Sequence, residues 1–161
     1  MEQIQIICVD DQRDVLAALL KDLDVFEAVF PVSDCESAQE ARELLEEFDE
    51  KGMPAGLIIC DHIMPEQNGI DFLAEIAEDT RFAKIKKLLL TGLATHADTI
   101  RAINNAHIDH YIEKPWQSDE LADIIKKLLT AFVVENGYDY TRYGDLMDRD
   151  ILLRDSRNRL F

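Results

Sequence analysis

Leu57-Ile58-Ile59-Cys60-Asp61-His62-Ile63-Met64-Pro65-Glu66-Gln67-Asn68-Gly69 is the stretch that decides the fold. Four apolar residues follow Gly56 without interruption, meet one carboxylate, and give way to a loop marked by Pro65 and Gly69. A short apolar run bounded by turn formers reads as a strand covered on both faces, as in the interior of a parallel sheet. Open α/β sheets bind their ligands in the crevice at the carboxyl ends of the strands. Asp61 therefore stands where chemistry is expected.

Working outward, Ile4 to Val9 is mostly apolar and β-branched and ends at Asp10-Asp11, which predicts a first buried strand. From Gln12 the spacing turns helical, with Val15, Leu16, Leu19, Leu20 and Leu23 on one face. Phe26 to Val32 is the second strand candidate, and Pro31 places it at an edge or a strand end. Ser37 with Glu40 offers a capping box to a helix with Ala38, Ala41, Leu44, Leu45 and Phe48 on its apolar side. Residues 49–54 are the loop into the central strand.

Downstream of Gly69, the residues Ile70, Leu73, Ala74 and Ile76 make one side of a third helix. Ile85 to Leu90 reads as a fourth strand ending at Thr91-Gly92, and His96 to Asn105 as a helix with few large apolar residues. A short strand at His110 to Ile112 leads into Lys114-Pro115-Trp116. Ser118 is placed to cap a last helix, with Asp119 and Glu120 in its first turn and Leu121, Ile124, Ile125, Leu128 and Leu129 behind them. Five alternations of strand and helix with short connections predict an α/β, flavodoxin-like (βα)5 fold. It is a doubly wound five-stranded parallel sheet.

The chain of 161 residues is 47% hydrophobic, a globular composition long enough to bury a core. Its formal charge is −16, and residues 1–130 carry 27 acidic against 12 basic side chains. A surface of that sign is foremost a solvated one, and it argues against nucleic acid, since phosphate contacts need a basic stripe. No apolar stretch would span a bilayer, and Met1-Glu2-Gln3 lacks the basic start of a signal peptide. Cys8, Cys35 and Cys60 have no metal-ligand spacing and read as reduced thiols, so a cytoplasmic location is expected.

Four strands thus end in a chemically useful residue: Asp10-Asp11, Asp61, Thr91 and Lys114. Any one alone reads first as a turn former or a cap. Together on one sheet edge they acquire a joint meaning. Three neighbouring carboxylates repel unless a proton or a cation neutralises them, and an oxygen-only set with room for water suits Mg²⁺. A metal, an ammonium and a hydroxyl around one carboxylate are what a phosphoryl group in transfer needs. A carboxylate can itself be the covalent acceptor.

The series Val9-Asp10-Asp11, Asp61-His62-Ile63-Met64-Pro65 with Gly69, Thr91-Gly92 and Tyr111-Ile112-Glu113-Lys114-Pro115 resembles the receiver domain of two-component response regulators. The likeness covers about four fifths of the chain and keeps order and spacing. It implies that Asp61 is the phosphorylated aspartate, and that Asp10, Asp11, Asp61 and the backbone carbonyl of Ile63 hold Mg²⁺. It also implies that Thr91 moves toward the phosphoryl group, that Tyr111 reports that movement by its rotamer, and that Lys114, before a cis Pro115, pairs with the phosphoryl oxygens. The donor would be a sensor histidine kinase or a histidine phosphotransfer protein. The output would be a downstream domain or protein controlled through the His96–Asn105 helix, the last strand and the Ser118 helix. Ile63 and Leu93 are expected to flank the phosphoryl group, and with no polar side chain there to orient water, self-dephosphorylation should be slow.

Two rivals are weighed against this reading. An Mg²⁺-dependent phosphatase with an aspartyl nucleophile, of the haloacid dehalogenase kind, would place two aspartates two apart on its first strand, and Asp10-Asp11 are adjacent. A degenerate, docking-only receiver would have lost part of a set that is complete here. His62 is read as pointing away from Asp61, His107 and His110 as structural, and Trp116 as covering the end of the last strand or adding to a partner surface. The receiver is expected over 1–132. The extension 133–161, with Tyr138, Tyr140 and Tyr143 ahead of Leu146, Met147 and Ile151 to Leu153, is open to three readings. It could be a helical segment for a homodimer, a segment folded back on its own domain, or a linker to an output domain.

Overall fold

The computed structural model describes residues 3–92 and 96–160. Five strands form one all-parallel sheet: β1 (Gln5–Val9), β2 (Val32–Cys35), β3 (Ala55–Asp61), β4 (Lys86–Thr91) and β5 (His110–Glu113), in the order β2-β1-β3-β4-β5. The strand order reverses between β1 and β3, and the crevice of such a sheet opens at that reversal. Asp10 follows β1 directly, and Asp61 is the last residue of β3.

Successive strand residues face opposite layers. Ile6, Cys8, Leu57, Ile59, Leu88 and Leu90 pack with α1 (Arg13–Asp22) and α6 (Ser118–Glu135). Ile7, Val9, Ile58, Cys60 and Leu89 pack with α3 (Ala38–Glu50) and α4 (Gly69–Glu78) on the other side. α5 (His96–Ala106) joins that second layer through the buried Ala106. Each fully buried Leu or Ile contributes roughly 1.5–3 kcal/mol. Covering both faces of β1, β3 and β4 is what makes Ile6 to Val9, Leu57 to Cys60 and Leu88 to Leu90 continuous apolar runs.

The second strand lies later than Phe26 to Val32. Phe26 sits in a short helix, α2 (Asp24–Glu27), and Phe30 is buried behind it. Leu16, Leu19, Leu23, Phe26 and Phe30 continue one helical stripe into the same core, so the helical period overrides the apolar look of the segment. β2 is an edge strand with Ser33 and Asp34 in its middle. Ser37 caps α3 by accepting from the Glu40 N–H at 3.1 Å, while the Glu40 carboxylate accepts from the Glu36 N–H at 2.9 Å. Ser118 is not a cap. It is the first residue of α6, and its hydroxyl donates to Asp22 at 2.9 Å. The Trp116 indole N–H donates to the same carboxylate at 2.7 Å, so the end of α1 fixes the entry to α6.

α6 continues without a break to Glu135, and Phe132 and Val133 are core residues. A 3₁₀ segment (Tyr140–Leu146), turned at Gly144, then lies back on the domain. There Tyr143 stacks on Phe30 with ring centroids 5.1 Å apart, and Met147 is buried. The Asp148 N–H donates to the Thr130 hydroxyl at 2.8 Å, which sets the start of α7 (Arg149–Leu160) against α6. Among the described residues no helix is long and apolar enough to cross a membrane.

Candidate functional site

β1 delivers Asp10 to the crevice with no exposed surface. One of its oxygens accepts the Gln12 N–H at 2.9 Å, an Asx turn that starts α1, and its own N–H donates to the Cys35 carbonyl at 3.0 Å. Asp61 ends β3 at 6% exposure, and Thr91 ends β4 at 3%. Lys114 follows β5, and its N–H donates to the Thr91 carbonyl at 2.9 Å. The Lys114–Pro115 bond is cis.

Lys114 closes the site. Its Nζ lies 2.8 Å from Asp61 Oδ1 and 2.9 Å from Asp10 Oδ2, one ammonium shared by two buried carboxylates. Asp10, Asp11 and Asp61 each offer an oxygen within 4.8 Å of the others, and Asp11 is the exposed member. Burial lifts the Asp61 carboxyl above the ordinary carboxylate range; the Lys114 hydrogen bond opposes this, and the nearby Asp10 charge adds to it. Burial also works against the Lys114 ammonium, but its hydrogen bonds to Asp61 and Asp10 prevail and hold it above the ordinary lysine range. One ammonium does not neutralise three carboxylates. An oxygen-only, partly open set of that charge can hold a hard divalent cation.

The loop after Asp61 is anchored at both ends. His62 donates its N–H to the Leu90 carbonyl at 2.9 Å and accepts from the Gly69 N–H at 2.8 Å. A Cβ on Gly69 would lie 1.9 Å from the Asp61 carbonyl oxygen, so the start of α4 presses directly on the backbone of the acidic strand end. Asn68 caps α4 by accepting from the Asp71 N–H at 2.9 Å. The Ile63 side chain is 71% exposed. Tyr111 is half-buried on the α4 side of the sheet. Leu93 lies outside the described residues. His107 and His110 are exposed, and among the described residues only the three aspartates form a metal-holding group.

Sequence reasoning found the four strand ends but missed two features of the loop. The close approach at Gly69 has no signal beyond the glycine itself. A side-chain ring of Arg42, Gln67 and Glu75, spanning α3, the loop and α4, has none at all.

A family model for the response regulator receiver domain matches residues 6–126. The hydrogenase transcriptional regulatory protein HoxA of Cupriavidus necator is 34% identical over 155 residues, which is 96% of this chain and 28% of that protein. Response regulator Rre1 of Synechocystis is 32% identical over 80% of this chain and 52% of its own length. This chain thus spans between about a quarter and a half of those longer relatives. The chemotaxis protein CheY of Halobacterium salinarum is 31% identical over 79% of this chain and 98% of its own. Among solved structures, the signal receiver domain of an HD domain-containing protein from Pseudomonas fluorescens superposes with a TM-score of 0.71 at 25% identity, covering 81% of this chain and 98% of that one.

Proposed function

The chain belongs to the response regulator receiver domain family, and on that premise we propose that Asp61 accepts a phosphoryl group from a phosphohistidine donor. The phosphorus–nitrogen bond of the donor breaks as a carboxylate oxygen of Asp61 bonds to phosphorus, leaving an acyl phosphate. The observation that carries this reading is the single Lys114 ammonium bonded to both Asp61 and Asp10 at 2.8 and 2.9 Å. It places fixed positive charge where the phosphoryl oxygens would arrive, the kind of preorganised group that lowers such barriers most. Asp10, Asp11, Asp61 and the Ile63 carbonyl would hold Mg²⁺, which supplies further charge neutralisation to the phosphoryl oxygens. Receiver domains are signalling modules rather than enzymes in the usual sense, and the part this chain plays is positioning.

The added charge of roughly −1.5 to −2 and its acceptor oxygens would draw Lys114 and the Thr91 hydroxyl. Tyr111, half-buried on the α4 side of the sheet, would follow. The readers of that change would be a sensor kinase or phosphotransfer protein on the input side and a downstream domain or protein on the output side, in the cytoplasm. The test is intact-mass analysis with acetyl phosphate, run with Mg²⁺ and with a chelator, alongside light scattering. One phosphoryl group gained only with Mg²⁺ supports the reading. No gain in a folded sample that binds Mg²⁺ replaces it with docking alone. A doubled mass in solution on phosphorylation would show a homodimer that forms with the signal.

The exposed, apolar Ile63 also makes the acyl phosphate long-lived in this account, because no polar side chain at that position orients a water for attack. Ile63→Asn is expected to speed the decay of the labelled protein several-fold after donor removal. An unchanged half-life would remove Ile63 from the account.

A further inference from the structure

The loop 62–68 is gripped from outside by side chains, and we propose that Arg42, Gln67 and Glu75 are positioning residues that set the affinity of the acidic site for its divalent cation. This rests on the reading above, in which the Ile63 carbonyl is one of the ligands.

Arg42 comes from α3, Gln67 from the loop and Glu75 from α4. The Arg42 guanidinium donates to the Gln67 side-chain oxygen and lies 3.3 Å from Glu75, and the Gln67 amide donates to Glu75 at 2.7 Å. The three groups therefore close a ring in which each touches the other two. The guanidinium is held in place from below, 5.9 Å from the centroid of the buried Phe72 ring, and from the side by a 2.8 Å hydrogen bond to Gln39.

The ring grips the loop at a particular place. Glu66, next to Gln67, has φ of 70°, a left-handed conformation that a non-glycine residue disfavours. Gln67 donates its backbone N–H to the Pro65 carbonyl at 2.8 Å across that residue. Among the described residues, hydrogen bonds also tie the loop at its ends, at His62 and Asn68, and in its middle the Met64 side chain is buried in the core. Release of Gln67 would let Glu66 return toward ordinary backbone angles, and the peptide units from Ile63 to Pro65 would turn with it. The ring touches neither the carboxylates nor the phosphoryl site, so its influence on the cation passes through the backbone of Ile63.

The test is calorimetric titration with Mg²⁺ of the wild type, Arg42→Met, Gln67→Leu, the double variant and Arg81→Met. Arg81 is a matched control. It ties α3 to the end of α4 through Glu46 at 2.7 Å and Asp79 at 2.9 Å, away from the loop. Each clamp variant should weaken Mg²⁺ binding about 10-fold, the low end of what losing an outer partner of a metal ligand costs. The double variant should be no weaker than the poorer single, and Arg81→Met should bind as the wild type does. Clamp variants that melt earlier yet keep wild-type affinity would overturn the proposal, as would an Arg81→Met loss of equal size or a fully additive double variant. A wild type that binds no Mg²⁺ would overturn the metal reading itself.

Discussion

Lys114→Ala is expected to slow phosphorylation of Asp61 by acetyl phosphate by about 10²–10³-fold, the usual cost of deleting one preorganised donor to a developing anion. The same substitution is expected to tighten Mg²⁺ binding. Both signs follow from one geometry. The Nζ of Lys114 sits 2.8 Å from Asp61 and 2.9 Å from Asp10, where it would compete with a cation for the carboxylates and would supply charge to the phosphoryl group. Its loss leaves two buried carboxylates without their shared counter-charge, and a divalent ion becomes the remaining means of neutralising them. Stopped-flow phosphorylation and Mg²⁺ titration of the same samples separate the two effects. A variant that lost both affinities together would indicate a disturbed fold rather than a lost charge.

Gly69→Ala is expected to produce the largest stability loss of any glycine-to-alanine change in the chain. The new Cβ would stand 1.9 Å from the Asp61 carbonyl oxygen and 2.9 Å from its carbon. These are backbone atoms of a buried strand, so no rotamer change relieves the contact. Overpacking costs about 1–3 kcal/mol where side chains can give way, and here the upper end or more is expected. In urea or thermal unfolding that is a melting temperature lower by roughly 5–10 °C. Phosphorylation falls as well, because what yields is the peptide that carries the acceptor. Gly92→Ala is the control, since among the described residues its Cβ would meet nothing within 4 Å. Gly56→Ala should fall between them: its nearest neighbours, Ile4 Cγ2 at 2.5 Å and the Phe132 ring at 3.1 Å, are side-chain atoms.

What the sequence made legible follows from burial. β1, β3 and β4 are covered on both faces, so β1 and β3 read as apolar runs and β4 as the run Leu88 to Leu90 after two lysines; each ends abruptly where the chain reaches the crevice, and the abrupt ends are the site. β2 was misplaced for the complementary reason. An edge strand with Ser33 and Asp34 at its centre has no such run, and Phe26 and Phe30 beside it belong to the helical stripe of α1. Ser118 looked like a cap because serine before two acidic residues usually is one. In the fold its hydroxyl reaches instead to Asp22, 96 residues away in the chain. The Arg42 ring bridges separations of 25 and 33 residues, with no period or motif to announce it. The choice among the readings of residues 133–161 was equally invisible, because the partner of Tyr143 is Phe30, far upstream.

The relatives differ in how much of this chain they match. HoxA matches 96% of this chain and extends well beyond it, whereas CheY of Halobacterium matches 79% and is nearly used up by the match. The fold-back of Tyr143 and Met147 onto the α1–α6 layer shows that this region is built into the core of the domain. Any signal that reshapes β5 and α6 therefore has a packed route to α7.

The most direct measurement is to locate the phosphoryl group. Wild type and Asp61→Asn would be treated with acetyl phosphate and Mg²⁺, the acyl phosphate trapped by borohydride reduction, and the peptides mapped by mass. One modified residue, Asp61, is expected in the wild type and none in the variant. Modification at another carboxylate in the wild type, or an undiminished yield in Asp61→Asn, would contradict that expectation.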